Sequence, residues 1–283
     1  MGLFFNYSKP GPGVSKNEPK KKGVDLYFEL FFRHFWDFIK ENMLYVTASI
    51  PMFLIYYVLF TVFLDSLGMQ QFAMQNNILA SYETIKIIST ILLVILCGSG
   101  PASAGLAYMM RCITREEHCF LWSDFWEKFK ENFKYGMIIV LIDVLILTII
   151  APLSIKFYHM QYSSTDNSIW LMAMFIVIIM LFIYIMMHMY FYQFIITFEL
   201  KFFVAVKNSF IMTMAFLPLN LLVFAIPVVL MYFLLSHFTP VAVLLFSVLF
   251  LVSFLRYPIE FLASRLILKK VMVKKEEDDI ENK

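Results

Sequence analysis

The feature that most constrains this chain is a set of six apolar stretches, each near the length that spans a bilayer. They cover residues 43–63, 86–110, 137–157, 169–194, 217–237 and 239–262. As helices rising 1.5 Å per residue, each is long enough to cross a hydrocarbon core of about 30 Å. A soluble protein with a large core is the competing reading. With 61% hydrophobic and only 16% charged residues, the chain has too little polar surface to cover such a core. The expected fold is therefore all-α: a polytopic integral membrane protein of about six transmembrane helices.

Basic residues set the expected orientation. Lys9, Lys16, Lys20, Lys21, Lys22, Arg33 and Lys40 precede the first stretch, and Arg111, Arg115, Lys128, Lys130 and Lys134 follow the second. Lys201 and Lys207 follow the fourth, and Arg256, Arg265, Lys269, Lys270, Lys274, Lys275 and Lys283 lie in or beyond the last. Only Lys86 and Lys156 are left for the opposite side, so both termini are expected in the cytoplasm. The chain divides into a polar N-terminal segment (1–24), a single transmembrane domain (25–270) and a charged cytoplasmic tail (271–283). The first segment lacks the apolar core of a signal peptide.

Two cytoplasmic stretches have the pattern of amphipathic elbow helices. In the first, Asp25, Glu29, Arg33, Asp37 and Glu41 form a polar stripe at every fourth position, and Phe31, Phe32, Phe35, Trp36 and Ile39 cover the remainder. In the second, Trp122, Phe125, Trp126, Phe129 and Phe133 oppose Asp124, Glu127, Lys128 and Glu131. Such helices lie in the membrane interface with the aromatic side down. Phe35, Trp36, Trp122, Asp124, Phe125, Trp126 and Phe129 are the expected elbow or partner contacts. Phe35-Trp36 with Lys40-Glu41-Asn42 repeats as Phe125-Trp126 with Lys130-Glu131-Asn132 at the same spacing, which suggests a repeated unit or a shared interfacial composition. A third stretch, 198–210, is less regular.

Within the second apolar stretch, Gly98, Gly100, Pro101, Ala102 and Gly105 are the candidates for close helix packing or a kink. Small residues let backbones approach, and proline removes a backbone donor. The same break would also open backbone groups to a substrate, as in transporters. Ionisable residues inside the spans are few. Asp143, Arg256 and Glu260 are expected to form a protein-enclosed polar cluster, because an unpaired charge is costly in lipid; His188 is a weaker candidate. Asp143 and Arg256 lie at similar depths and are a plausible pair, with Glu260 one turn beyond Arg256 as a competing partner.

Catalytic patterns are absent: there is no paired-carboxylate site, no His-Glu-x-x-His, no phosphate loop and no nucleophile elbow. Cys112, His118 and Cys119 are close in sequence but fall short of the four ligands of a zinc site. No enzyme activity, cofactor, metal or nucleic-acid partner is expected.

The string from Cys97-Gly98-Ser99-Gly100-Pro101-Ala102-Ser103-Ala104-Gly105 to Arg111, followed by Phe120-Leu121-Trp122-Ser123-Asp124-Phe125-Trp126 and Phe129-Lys130-Glu131-Asn132-Phe133-Lys134, resembles the YesL-like family of bacterial membrane proteins, also called the domain of unknown function 624 (DUF624). The resemblance implies a multi-pass protein of the bacterial plasma membrane, with membrane lipid as a partner and ABC transporter permease subunits as candidate partners. It implies a non-enzymatic accessory or additional transmembrane subunit of a carbohydrate (oligosaccharide) ABC uptake system, an association that supplies no mechanism. A stand-alone carrier for a small solute is the alternative.

Overall fold

The computed structural model describes residues 22–66, 68–75, 98–146, 167–198 and 200–272, with single positions between 77 and 94. Among the described residues there is no strand; the chain is a series of helices. These are α1 (Val24–Arg33), α2 (Phe35–Ser66), α3 (Met69–Gln75), α4 (Pro101–Arg115), α5 (Leu121–Glu131), α6 (133–146), α7 (Asn167–Thr197), α8 (Phe202–Ala215), α9 (Leu217–His237), α10 (Pro240–Phe246) and α11 (Val252–Ile267). A π-helical turn, Ser247–Leu251, joins α10 to α11, and another, Leu268–Met272, follows α11.

Four helical segments are long and apolar enough to cross a membrane: Phe35–Val62, Ile169–Thr197, Leu217–His237 and Val241–Lys270. They correspond to the first, fourth, fifth and sixth expected spans. The other two are not seen as whole helices. The second is interrupted at residues 98–100 and lies partly outside the described residues, and the third is described only to residue 146. The expected tail 271–283 also lies almost wholly outside them.

The bundle is organised around α4, against which α2, α7 and α11 all pack. Its sequence explains the central place. Ala102, Ser103, Ala104, Gly105 and Ala107 are buried, and short side chains let three neighbours approach one helix closely. Gly136 of α6 packs closely on the start of α4: a Cβ added to it would lie 2.5 Å from the Pro101 nitrogen.

The polar stripe expected over residues 25–41 is divided. The chain turns at His34, so Asp37 and Glu41 belong to the long helix α2, and Glu41 is fully buried rather than facing water. α1 docks onto the last helix instead, with Tyr27 stacked on Tyr257 at 4.8 Å and Leu26 and Leu30 buried. The repeated Lys-Glu-Asn letters also have different roles. The Asn42 amide donates to the carbonyls of Ser247 (3.0 Å) and Val248 (2.8 Å) and accepts from the Ser253 N–H (2.9 Å), so it satisfies backbone groups around the π turn. The Asn132 side chain instead donates to the Lys128 carbonyl one turn earlier. Glu131 pairs with Lys128 on the surface.

Candidate functional site

The break before α4 builds the first half of the site. Gly98 and Gly100 have φ of 91° and 64°, a region that glycine enters without steric cost. Pro101 then occupies the first helical turn, where its missing N–H is no loss. The Ser99 N–H donates to the Ser103 hydroxyl at 2.7 Å, and the Ser99 hydroxyl bonds Ser49 of α2 at 2.6 Å. The sequence pointed to a kink here; the structure has a complete interruption.

Arg256 reaches this break from α11. Its guanidinium donates to the Ser103 hydroxyl (3.2 Å) and to the Glu260 carboxylate (2.5 Å), and it lies 5.9 Å from the ring centres of both Tyr45 and Tyr192. The second Glu260 oxygen accepts from the Gln193 amide at 2.8 Å, and that amide also donates to the Ala107 carbonyl at 3.1 Å. Arg256 is 2% exposed and Glu260 0%, so the pair replaces water with hydrogen-bond partners from α4 and α7 and with aromatic rings from α2 and α7. A Cβ on Gly98 would collide with the Ser103 side chain and sit 3.0 Å from the guanidinium. Glycine is thus required there for space as well as for backbone angle.

Asp143 of α6 has different partners. It accepts from the Tyr56 hydroxyl (3.0 Å), the Tyr184 hydroxyl (2.6 Å) and His188 Nε2 (2.8 Å), while His188 Nδ1 lies 3.1 Å from the Tyr184 carbonyl. A carbonyl oxygen only accepts, so Nδ1 carries a proton and Nε2 shares another with the carboxylate. The direct Asp143–Arg256 pair that similar depth suggested is not formed. Each has a nearer partner, and Tyr192 lies between the two sites, its ring 6.3 Å from that of His188 and 5.9 Å from the Arg256 guanidinium. The sequence under-weighted His188. Tyr184, His188 and Tyr192 follow one another at every fourth residue, which puts them on one face of an otherwise apolar helix, and that stripe was the available signal.

The short helix α5 is held by one aromatic side chain. Phe125 is fully buried against α4, where a Cβ on Gly105 would meet its ring at 2.8 Å. Asp124 accepts from the Phe120 N–H at 2.9 Å and fixes the start of the helix. Trp126 and Phe129 are half-buried and in edge contact at 5.2 Å. Trp122 is 67% exposed on the protein surface, Trp36 is 72% exposed, and Phe35 is at the margin of exposure. The aromatic face is therefore split, with Phe125 anchoring the helix and Trp122 turned outward.

Cys112 and Cys119 lie side by side between α4 and α5, but His118 is exposed, with its ring edge-on to Phe120. The neighbouring Cys119 thiol lowers the Cys112 thiol's pKa, and Cys119 is correspondingly raised. Among the described residues no three histidine, cysteine or acidic side chains are placed to hold a metal ion.

Residues 79–152 match the family model described as "Protein of unknown function, DUF624". The match covers about a quarter of the chain. No curated protein and no solved structure matches it. Within its described part, the matched segment contributes the broken helix, Ser103, the Gly105–Phe125 contact, Gly136 and Asp143. The groups that answer it, Tyr45, Tyr56, His188, Gln193, Arg256 and Glu260, come from the rest of the chain. The polar site is thus completed across the limits of the matched region.

Proposed function

We propose that this multi-pass membrane protein is a non-enzymatic accessory or additional transmembrane subunit of a carbohydrate ABC uptake system, with both termini in the cytoplasm of a bacterial cell. The observation that carries the reading is the contrast between its interior and one end. Arg256 is answered by Glu260 and Asp143 by His188, whereas Trp36 and Trp122 stand exposed near the turn from α1 to α2 and the start of α5. Matched interior charges suit a structural core. Exposed tryptophans suit contact with partner helices or the membrane interface. The carbohydrate element rests on the resemblance of the matched segment to the DUF624 family.

Purification from native membranes in mild detergent is expected to recover an ABC permease subunit. Changing Trp36 and Trp122 together to alanine should abolish that recovery while shifting stability by only about 0.5 kcal/mol, as is usual at exposed positions. Absence of any transporter subunit, under conditions that preserve other membrane complexes, overturns the reading. Its orientation is tested separately. Cysteines placed at Asn76 and Ser164 should react with an impermeant thiol reagent added outside intact cells, and one at Lys274 should not.

One feature favours the carrier reading: a cavity of about 160 Å³ that touches Tyr184 and His188 beside Asp143. Solute uptake by proteoliposomes containing this chain alone would support a carrier and count against a subunit role.

A further inference from the structure

A second cavity, of about 290 Å³, opens between the start of α2, the end of α4 and the loop leading into α5. In its wall lies Glu41, fully buried, with neither carboxylate oxygen bonded to any group. The other charged side chains around the cavity have partners. Arg33 meets Glu29 and Glu116, His34 and Lys40 meet Asp37, and Arg111 and Arg115 lie near Glu117. Of the four acidic side chains in the lining, Asp37, Glu116 and Glu117 are thus each beside a basic group, and Glu41 is the one left without.

An unpartnered carboxylate enclosed by protein is costly, and a buried polar atom with no partner calls for an explanation such as a missing ligand. The unanswered Glu41 carboxylate selects a cation. A metal ion fits poorly, since no three ligating side chains converge among the described residues. An ammonium fits better, because it brings one positive charge and three N–H donors, enough for both Glu41 oxygens and one sulfur of Cys112 or Cys119 in the same lining. The cavity is at the lower edge of ligand-pocket sizes, which suits a head group on a short chain.

We propose that this cavity binds a primary alkylammonium group through Glu41. The group is either a free amine or the lysine side chain of another protein, and the site does not depend on the function proposed above.

The test uses the purified full chain in detergent with n-butylammonium as probe and n-butanol as its neutral counterpart. n-Butylammonium is expected to raise the thermal midpoint saturably and to slow alkylation of Cys119 by iodoacetamide; n-butanol should do neither. Glu41→Gln should weaken the probe's apparent affinity about tenfold or more, the loss expected of a charge-assisted hydrogen bond. Glu117→Gln, whose parent carboxylate already lies beside Arg111 and Arg115, should change it by roughly twofold or less. Protection of Cys119 in the unaltered protein keeps the test valid if Glu41→Gln fails to fold. In native membranes, zero-length carbodiimide coupling should give a low-mass adduct on Glu41 if the source is a free amine, or a covalent link to another chain if it is a lysine. Three results would each overturn the proposal: no saturable effect of n-butylammonium, an equal effect on Glu41→Gln, or protection of Cys119 by zinc but not by the amine.

Discussion

Arg256→Gln is expected to destabilise the protein by about 3–5 kcal/mol, because it leaves the Glu260 carboxylate buried without its cation. Glu260→Gln should cost a similar amount by stranding the guanidinium beside Ser103. The double change should cost clearly less than the sum, since two neutral amides at these positions can bond to each other and to Gln193. Reversible unfolding in mixed detergent, followed for the two single variants and the double variant, gives the coupling directly. Asp143→Asn provides the comparison. Its partners are Tyr56, Tyr184 and His188, so combining it with Arg256→Gln should show much weaker coupling. Strict additivity for Arg256 and Glu260 would contradict the geometry.

Gly136→Ala is expected to cost about 3 kcal/mol, the upper part of the usual range for overpacking. The added methyl would lie 2.5 Å from the Pro101 nitrogen and 2.8 Å from the Gly100 carbonyl carbon. Both are backbone atoms at the start of α4 and cannot rotate away, so α6 and α4 must separate. Gly105→Ala makes its closest contact, at 2.8 Å, with the ring of Phe125 and lies 3.1 Å from the Phe125 carbonyl, so the backbone is pressed less hard; about 1–2 kcal/mol is expected there. The same unfolding measurement ranks the two. A milder effect at Gly136 than at Gly105 would show that the α4–α6 contact is looser than described.

Much of the architecture was legible because lipid imposes a local rule. A residue's preference for hydrocarbon adds along the chain, so a window near 20 residues reveals a span without knowledge of its neighbours. That reasoning places spans at 43–63, 169–194, 217–237 and 239–262, each overlapping a helix long and apolar enough to cross a membrane. It was weaker at Gly98–Pro101, where composition marked a weak point but did not distinguish a bend from an interruption. Hydropathy barely changes between the two, whereas the positive φ angles of Gly98 and Gly100 decide it. Gly136 was overlooked for a related reason. A lone glycine in an apolar helix carries no pattern of its own, and its importance arises only where Gly100 faces it.

The polar groups mark where local reasoning stops. Arg256 and Glu260 are four residues apart on one helix, so their pairing follows from helical geometry, and the sequence already held Glu260 as a competitor for Arg256. Asp143 could not be assigned in the same way. Its partner, His188, is 45 residues distant, and meeting it requires a particular rotation and depth of α6 against α7. Glu41 is clearer still: its place on a four-residue polar stripe implied exposure, but the turn at His34 separates it from α1 and its side chain faces the α4–α5 loop. The sequence alone therefore determined the helical, membrane-embedded character of the chain, because transfer into lipid is a sum over neighbouring residues. Only the tertiary structure decided which charge answers which, and which carboxylate is left unanswered, because hydrogen bonds form over about 3 Å and depend on how separate helices are rotated against one another.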